Sequence, residues 1–181
     1  MFFSVLQFFT AFFMALLVFV CIHEMGHVLA ARLCGYPQAR FHLWKRQDGK
    51  WIWAVTDAPL NKFTDGQNVW ISLAGVLLTR LCAEGMLVFS GVHVPQGLEP
   101  FWIALFFLLR TDFALYVLRN VLGFYLLKTP QGDQDITLAA QFLQKTTRKP
   151  EGFWFSIMGI LAVLDVWIGA SRAIDFVLLV A

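Results

Sequence analysis

Charge is scarce in this sequence. Asp, Glu, Lys and Arg make up 14% of its 181 residues, and apolar residues make up 59%; a soluble domain carries about 25% and 45–50%. That deficit excludes an ordinary soluble fold and makes an integral membrane protein the leading class. Net charge is small as well. At +2 it argues against a nucleic-acid partner, and Lys and Arg gather in two loops rather than along one face. Cysteine is rare: Cys21, Cys34 and Cys82 form no CxxC pair, so they read as small apolar residues without a redox or metal role. The opening stretch, MFFSVLQFFTAFFMALLVFV, lacks the basic start and the small-x-small cleavage site of a secretory signal, so a retained first helix is expected. No internal repeat or low-complexity segment is evident, and the length leaves no room for an accessory domain.

Long apolar runs are abundant. They cover residues 2–34, 69–92, 101–127 and 153–180, and a spanning helix needs only about 20 residues. The expected fold class is therefore an all-α polytopic membrane protein of about four transmembrane helices, in a single membrane-embedded domain over residues 1–181. Arg110, Asp112 and Arg119 interrupt the third run, which reads as one tilted helix or as two joined pieces. Charges inside spans are costly and face the bundle interior or a wet cavity. For Arg80, Glu84, Arg110, Asp165 and Arg172, internal ion pairing is the simplest role.

Orientation follows from the basic residues. The segment after the first run carries Arg32, Arg40, Lys45, Arg46, Lys50 and Lys62, and that after the third carries Lys128, Lys145, Arg148 and Lys149. The connection HVPQGLEP has neither Lys nor Arg. Both basic loops are thus expected in the cytoplasm, with both termini outside. Within the loop 35–68, RFHLWKR and KWIWAVT flank an Asp48-Gly49 turn signal, the pattern of a small β-hairpin. Trp44, Trp51 and Trp53 suit a sheet at the membrane interface.

One cluster of polar residues has no place in an apolar helix without a purpose. VCIHEMGHVLAAR, Val20 to Arg32, sets His23 and His27 four residues apart, which puts both imidazoles on one helix face. Two such rings supply half of a tetrahedral zinc sphere, and Glu24 is then placed to take a proton from a water. The third ligand must come from another helix at the same depth. Asp133 and Asp135 open the segment DQDITLAAQFLQK just past the third run, where the depth matches; they also suit a helix cap and first turn. Asp112 lies deeper and is a lesser candidate, and His42 and His93 are weaker still. Gly26 gives a second backbone room to approach the histidine face, and Gly75 reads as a helix-packing glycine.

HEMGHVLAARLCG resembles the first motif of the site-2 protease group (peptidase M50-like) of intramembrane zinc metalloproteases, in which His-Glu-x-Gly-His lies in a membrane helix. SLAGVLLTR, Ser72 to Arg80, resembles that group's central Ala-Gly segment without its usual Gly-Pro and Asn. RNVLGFYLLKTPQGDQDI, Arg119 to Ile136, resembles the later motif in which an Asn, a Pro and an Asp-Gly bring the third ligand, an aspartate. Asn120 and Pro130 match, while Gly132-Asp133-Gln134-Asp135 stands in place of Asp-Gly. The resemblance implies a zinc-dependent metalloendopeptidase with one Zn2+ per chain. Its ligands would be His23, His27 and Asp133, with Asp135 as the alternative, and Glu24 would be the catalytic base. The implied substrate is a membrane protein cut in or near a transmembrane segment, at a site near the cytoplasmic face. The hairpin could hold that substrate by adding it as a strand. Two other classes keep the same motif: a non-catalytic membrane scaffold, and a metal- or haem-binding membrane protein.

Overall fold

The structure, a computed structural model, describes residues 2–47, 49–89, 94, 97–126 and 134–180. Helix α1 spans Phe2–Leu33. It stops where Gly35 turns left-handed at φ +95°, so that Gly35 N–H bonds Arg32 O at 3.0 Å and Tyr36 N–H bonds Ala31 O at 3.0 Å. This double closure satisfies carbonyls that a helix end leaves bare. The Arg32 guanidinium then donates twice to Ala39 O, at 3.1 and 2.9 Å, which ties the next segment to the helix end.

That segment is the expected hairpin, β1 (Arg40–Gln47) antiparallel to β2 (Lys50–Asp57). Trp44 faces Trp53 and Arg46 faces Trp51. The ladder skips the Leu43/Ala54 position, where Ala54 takes a φ of 53°, a conformation that costs a residue with a Cβ. Lys45 Nζ closes the open end onto Asp57 Oδ2 at 2.7 Å.

Helix α2 (Asp65–Phe89) starts with a capping box. Gln67 N–H reaches Thr64 Oγ1 at 3.3 Å, and Thr64 N–H reaches Gln67 Oε1 at 2.9 Å, so two orphan donors are satisfied reciprocally. Helix α3 (Glu99–Leu126) is continuous, which resolves the third run into one helix. Helix α4 (Gln134–Thr147) is shorter and amphipathic, and α5 is Glu151–Val180. Four of the five are long and apolar enough to cross a membrane: Val5–Leu33, Asp65–Phe89, Glu99–Leu126 and Glu151–Leu179. The architecture is therefore the all-helical, polytopic one expected, with a two-stranded hairpin attached.

α1 packs on α2 and α3, α3 packs on α5, and α4 lies mainly on α2. The α1–α2 crossing is close because Gly26 permits it: a Cβ there would stand 2.3 Å from Ala74 O. Val28, Ala31, Ile71 and Ala74 fill that seam, while Val117, Ile136, Ala139, Ala140 and Phe155 pin α4 beneath α3 and α5. The outer faces keep large apolar side chains exposed, among them Phe9, Phe13, Trp167 and Leu178, as helices surrounded by lipid do. Inside, the expected ion pairing is present. The Arg110 guanidinium forks onto Asp165 at 2.9 and 3.0 Å, Arg80 also bonds Asp165, and Arg80 lies 3.4 Å from Glu84. Arg172 does not join: it is exposed and has no ion pair among the described residues.

Candidate metal centre

The i,i+4 spacing on α1 stacks His23 and His27 with their Nε2 atoms 3.2 Å apart. Both residues are buried. Their orientation is set from the other side of each ring. His23 Nδ1–H donates to Asp112 Oδ2 on α3 at 2.8 Å, and His27 Nδ1–H donates to the Ile71 carbonyl on α2 at 2.7 Å. A carboxylate and a carbonyl only accept, so each neutral ring carries its proton on Nδ1 and leaves the Nε2 lone pair bare.

Asp135, in the first turn of α4, brings Oδ2 to 3.5 Å from His23 Nε2 and 3.2 Å from His27 Nε2. With both rings neutral, three acceptor atoms converge there, and their buried lone pairs repel one another unless a proton or a metal cation lies between them. Among the described residues these three form the group of His, Cys, Asp or Glu able to hold a metal ion, their ligand atoms all within 4.8 Å of one another. Two imidazoles and one carboxylate form the donor set of a zinc site that keeps a position open. The space fits as well. A Cβ on Gly75 would stand 2.6 Å from His27 Nε2 and 2.7 Å from His23 Nε2, so the missing side chain leaves room beside both nitrogens. Gly75 therefore serves the site directly and not only the helix packing expected of it.

Glu24 lies one residue round the helix and outside the trio. Its Oε2 accepts from Thr56 Oγ1 of β2 at 2.6 Å, so the hairpin holds the carboxylate in place. Glu24, His27 and Asp135 line a cleft of about 400 Å³. Its lining includes Ala54, Val55 and Thr56 of β2, together with Ser72 of α2 and the exposed Arg119 of α3. On α3, Asn120 is fully buried; its amide oxygen accepts from Thr137 Oγ1 at 2.7 Å, which anchors α4 two residues past Asp135.

Of the carboxylates considered from sequence, Asp135 is the one seen at the histidines. Asp133 lies outside the described residues, as do Asp48 and His93. Asp112 does approach His23, but on Nδ1, the side away from Asp135. His42 is on β1, 4.0 Å from Asp57, and takes no part. The sequence reading did not anticipate Thr56, the Ile71 carbonyl or Thr79, whose hydroxyl donates to Asp112 Oδ2 at 2.7 Å. None has a local signal, because each matters only through what another element brings to it. Asp112 did carry one: a charge inside an apolar run.

Fold and site together define a polytopic helical membrane protein with a buried His-Glu-x-x-His helix whose ligand set suits a divalent metal. The chain belongs to peptidase family M50, whose family model matches residues 11–174. That membership makes it a membrane metallopeptidase. No curated protein and no solved structure matches it.

Proposed function

We propose that this chain is an intramembrane zinc endopeptidase that cuts a membrane protein in or beside a transmembrane segment. His23, His27 and Asp135 hold the metal, and Glu24 is the general base. The observation that carries the reading is the convergence of three possible ligand atoms, His23 Nε2, His27 Nε2 and Asp135 Oδ2, within 3.2–3.5 Å. Gly75 closes one side of that space, which suits an ion and leaves no flat face for a haem.

A zinc ion held there supplies a Lewis acid for the scissile carbonyl and eases deprotonation of water. The chain does the rest. Glu24, free of the ligand set and fixed by Thr56, accepts a proton from a water in the cleft and returns it to the leaving amine. The hairpin is a two-stranded sheet, so the edge of β2 away from β1 has no strand partner among the described residues, and β2 lines the cleft. An extended substrate segment can add there, its carbonyls freed from helical hydrogen bonds. The Lys and Arg content of the loops carrying the hairpin and α4 supports a cleft near the cytoplasmic face.

Glu24→Gln tests the assignment. The purified variant should keep its zinc, since no ligand is touched, and lose about 10²–10⁴-fold in peptide hydrolysis. Asp135→Ala should lose metal and activity together. Full proteolysis by Glu24→Gln would sink the mechanism, and full zinc occupancy in Asp135→Ala would remove the third ligand.

A further inference from the structure

We propose that Asp112, locked by Thr79, is a positioning residue that sets the tautomer and ring plane of His23 for metal binding. The inference rests on the reading of His23 as a ligand and adds to it a residue outside the ligand set. Asp112 is 1% exposed, deep in a helix that spans the membrane. Its Oδ2 takes the His23 Nδ1 proton at 2.8 Å and the Thr79 hydroxyl at 2.7 Å. That single oxygen joins α1, α2 and α3. One turn along α3, Tyr116 stacks on the His23 ring at 4.9 Å and 23°. The ring is thereby held in plane by Tyr116 and in rotation by Asp112.

The arrangement is ill-suited to a purely structural carboxylate. Asp112 Oδ1 is buried and has no hydrogen-bond partner, whereas a carboxylate kept to fasten helices would be satisfied at both oxygens. A buried anion with half its acceptors idle is costly, and a cation on the far nitrogen of His23 offsets that cost through the ring. The two histidines are also unequal. His27 is oriented by a backbone carbonyl and His23 by a carboxylate, so His23 is the more firmly directed ligand. In this way Asp112 couples the docking of α3 to the state of the site without touching a ligand position.

The test measures zinc affinity by chelator competition on detergent-purified protein, with the apo melting temperature and the absorption spectrum of the Co2+-loaded form alongside. Asp112→Ala should weaken zinc 10–100-fold, the range for lost outer partners of ligands, and shift the Co2+ spectrum. Its apo form should melt somewhat lower, because His23 Nδ1–H and the Thr79 hydroxyl lose their acceptor, so zinc affinity and the Co2+ spectrum of the folded variant decide the role. Asp112→Asn keeps an acceptor for Nδ1–H and should recover part of the affinity; it also serves if the alanine variant fails to fold. Thr79→Val should weaken zinc less than Asp112→Ala. Wild-type affinity in both Asp112 variants, or a lowered apo melting temperature with unchanged affinity, would make the role structural and overturn the proposal. Failure of the wild-type chain to bind zinc at all is a different result, and would overturn the underlying site as well.

Discussion

Gly75→Ala is the sharpest perturbation the structure offers, because it places one methyl group where the site is to be filled. That carbon would stand 2.6 Å from His27 Nε2 and 2.7 Å from His23 Nε2, atoms themselves 3.2 Å apart. With Zn–N bonds of about 2.0–2.1 Å, every point an ion can occupy lies within about 3.4 Å of the methyl, and the points on the glycine side within about 1 Å. The rings cannot simply retreat. Their Nδ1 bonds are 2.7 and 2.8 Å long, and a shift of about 1 Å takes them out of hydrogen-bond range. Stability should change little by comparison: alanine in a helix interior gains about 1 kcal/mol over glycine, and overpacking costs about 1–3 kcal/mol. The variant should therefore fold, with a net loss of no more than about 2 kcal/mol, and bind zinc at least about 100-fold more weakly. Metal analysis after gel filtration, and melting curves with and without zinc, read both quantities. Zinc at 100 times its Kd stabilises the wild-type chain by about 2.7 kcal/mol, and that increment should vanish in Gly75→Ala. A variant that keeps wild-type zinc content and the zinc-dependent rise in Tm would refute the geometry of the site.

Thr56→Val removes the hydroxyl that holds Glu24 Oε2 at 2.6 Å; zinc content should be unchanged while kcat falls about 10-fold or more, as for a lost hydrogen bond to a charged group, and loss of zinc instead would mean the hairpin supports the ligands. Single cysteines at Asp48 and Gly97 should be labelled by impermeant thiol reagents from opposite sides, because only the loop containing Asp48 is basic; labelling of both from one side would refute the four-span orientation. The hydrogen bond from Lys45 holds the Asp57 carboxyl below the usual range. Its contribution to the exposed hairpin is thus present above the unfolded value of about 3.9 and is lost as pH falls through the lower folded value. In Lys45→Met the Asp57 carboxyl resonance should titrate at an ordinary midpoint, and an unmoved midpoint would assign the shift to another cause.

Much of this protein is local and was legible as such. Apolar run lengths defined the four spans to within a few residues: the second run begins at Val69 and α2 at Asp65, where the Thr64–Gln67 capping box starts the helix ahead of its apolar part. The Asp48-Gly49 turn between aromatic and β-branched runs defined the hairpin. Four-residue spacing placed His23 and His27 on one face and set Glu24 beside it, because helical geometry alone decides that. What completes the centre is not local. That Asp135 reaches the histidines depends on how α4 docks, and that follows from burial of Ile136, Ala139 and Ala140 among side chains of α3 and α5. Asp112 is also an aspartate and comes nearer still, yet it meets the opposite nitrogen of His23, since α3 approaches that ring from its other side. Gly75 shows the limit most plainly. Its sequence context is that of any packing glycine, and only the crossing of α1 over α2, permitted by Gly26, turns its missing side chain into space between two imidazoles.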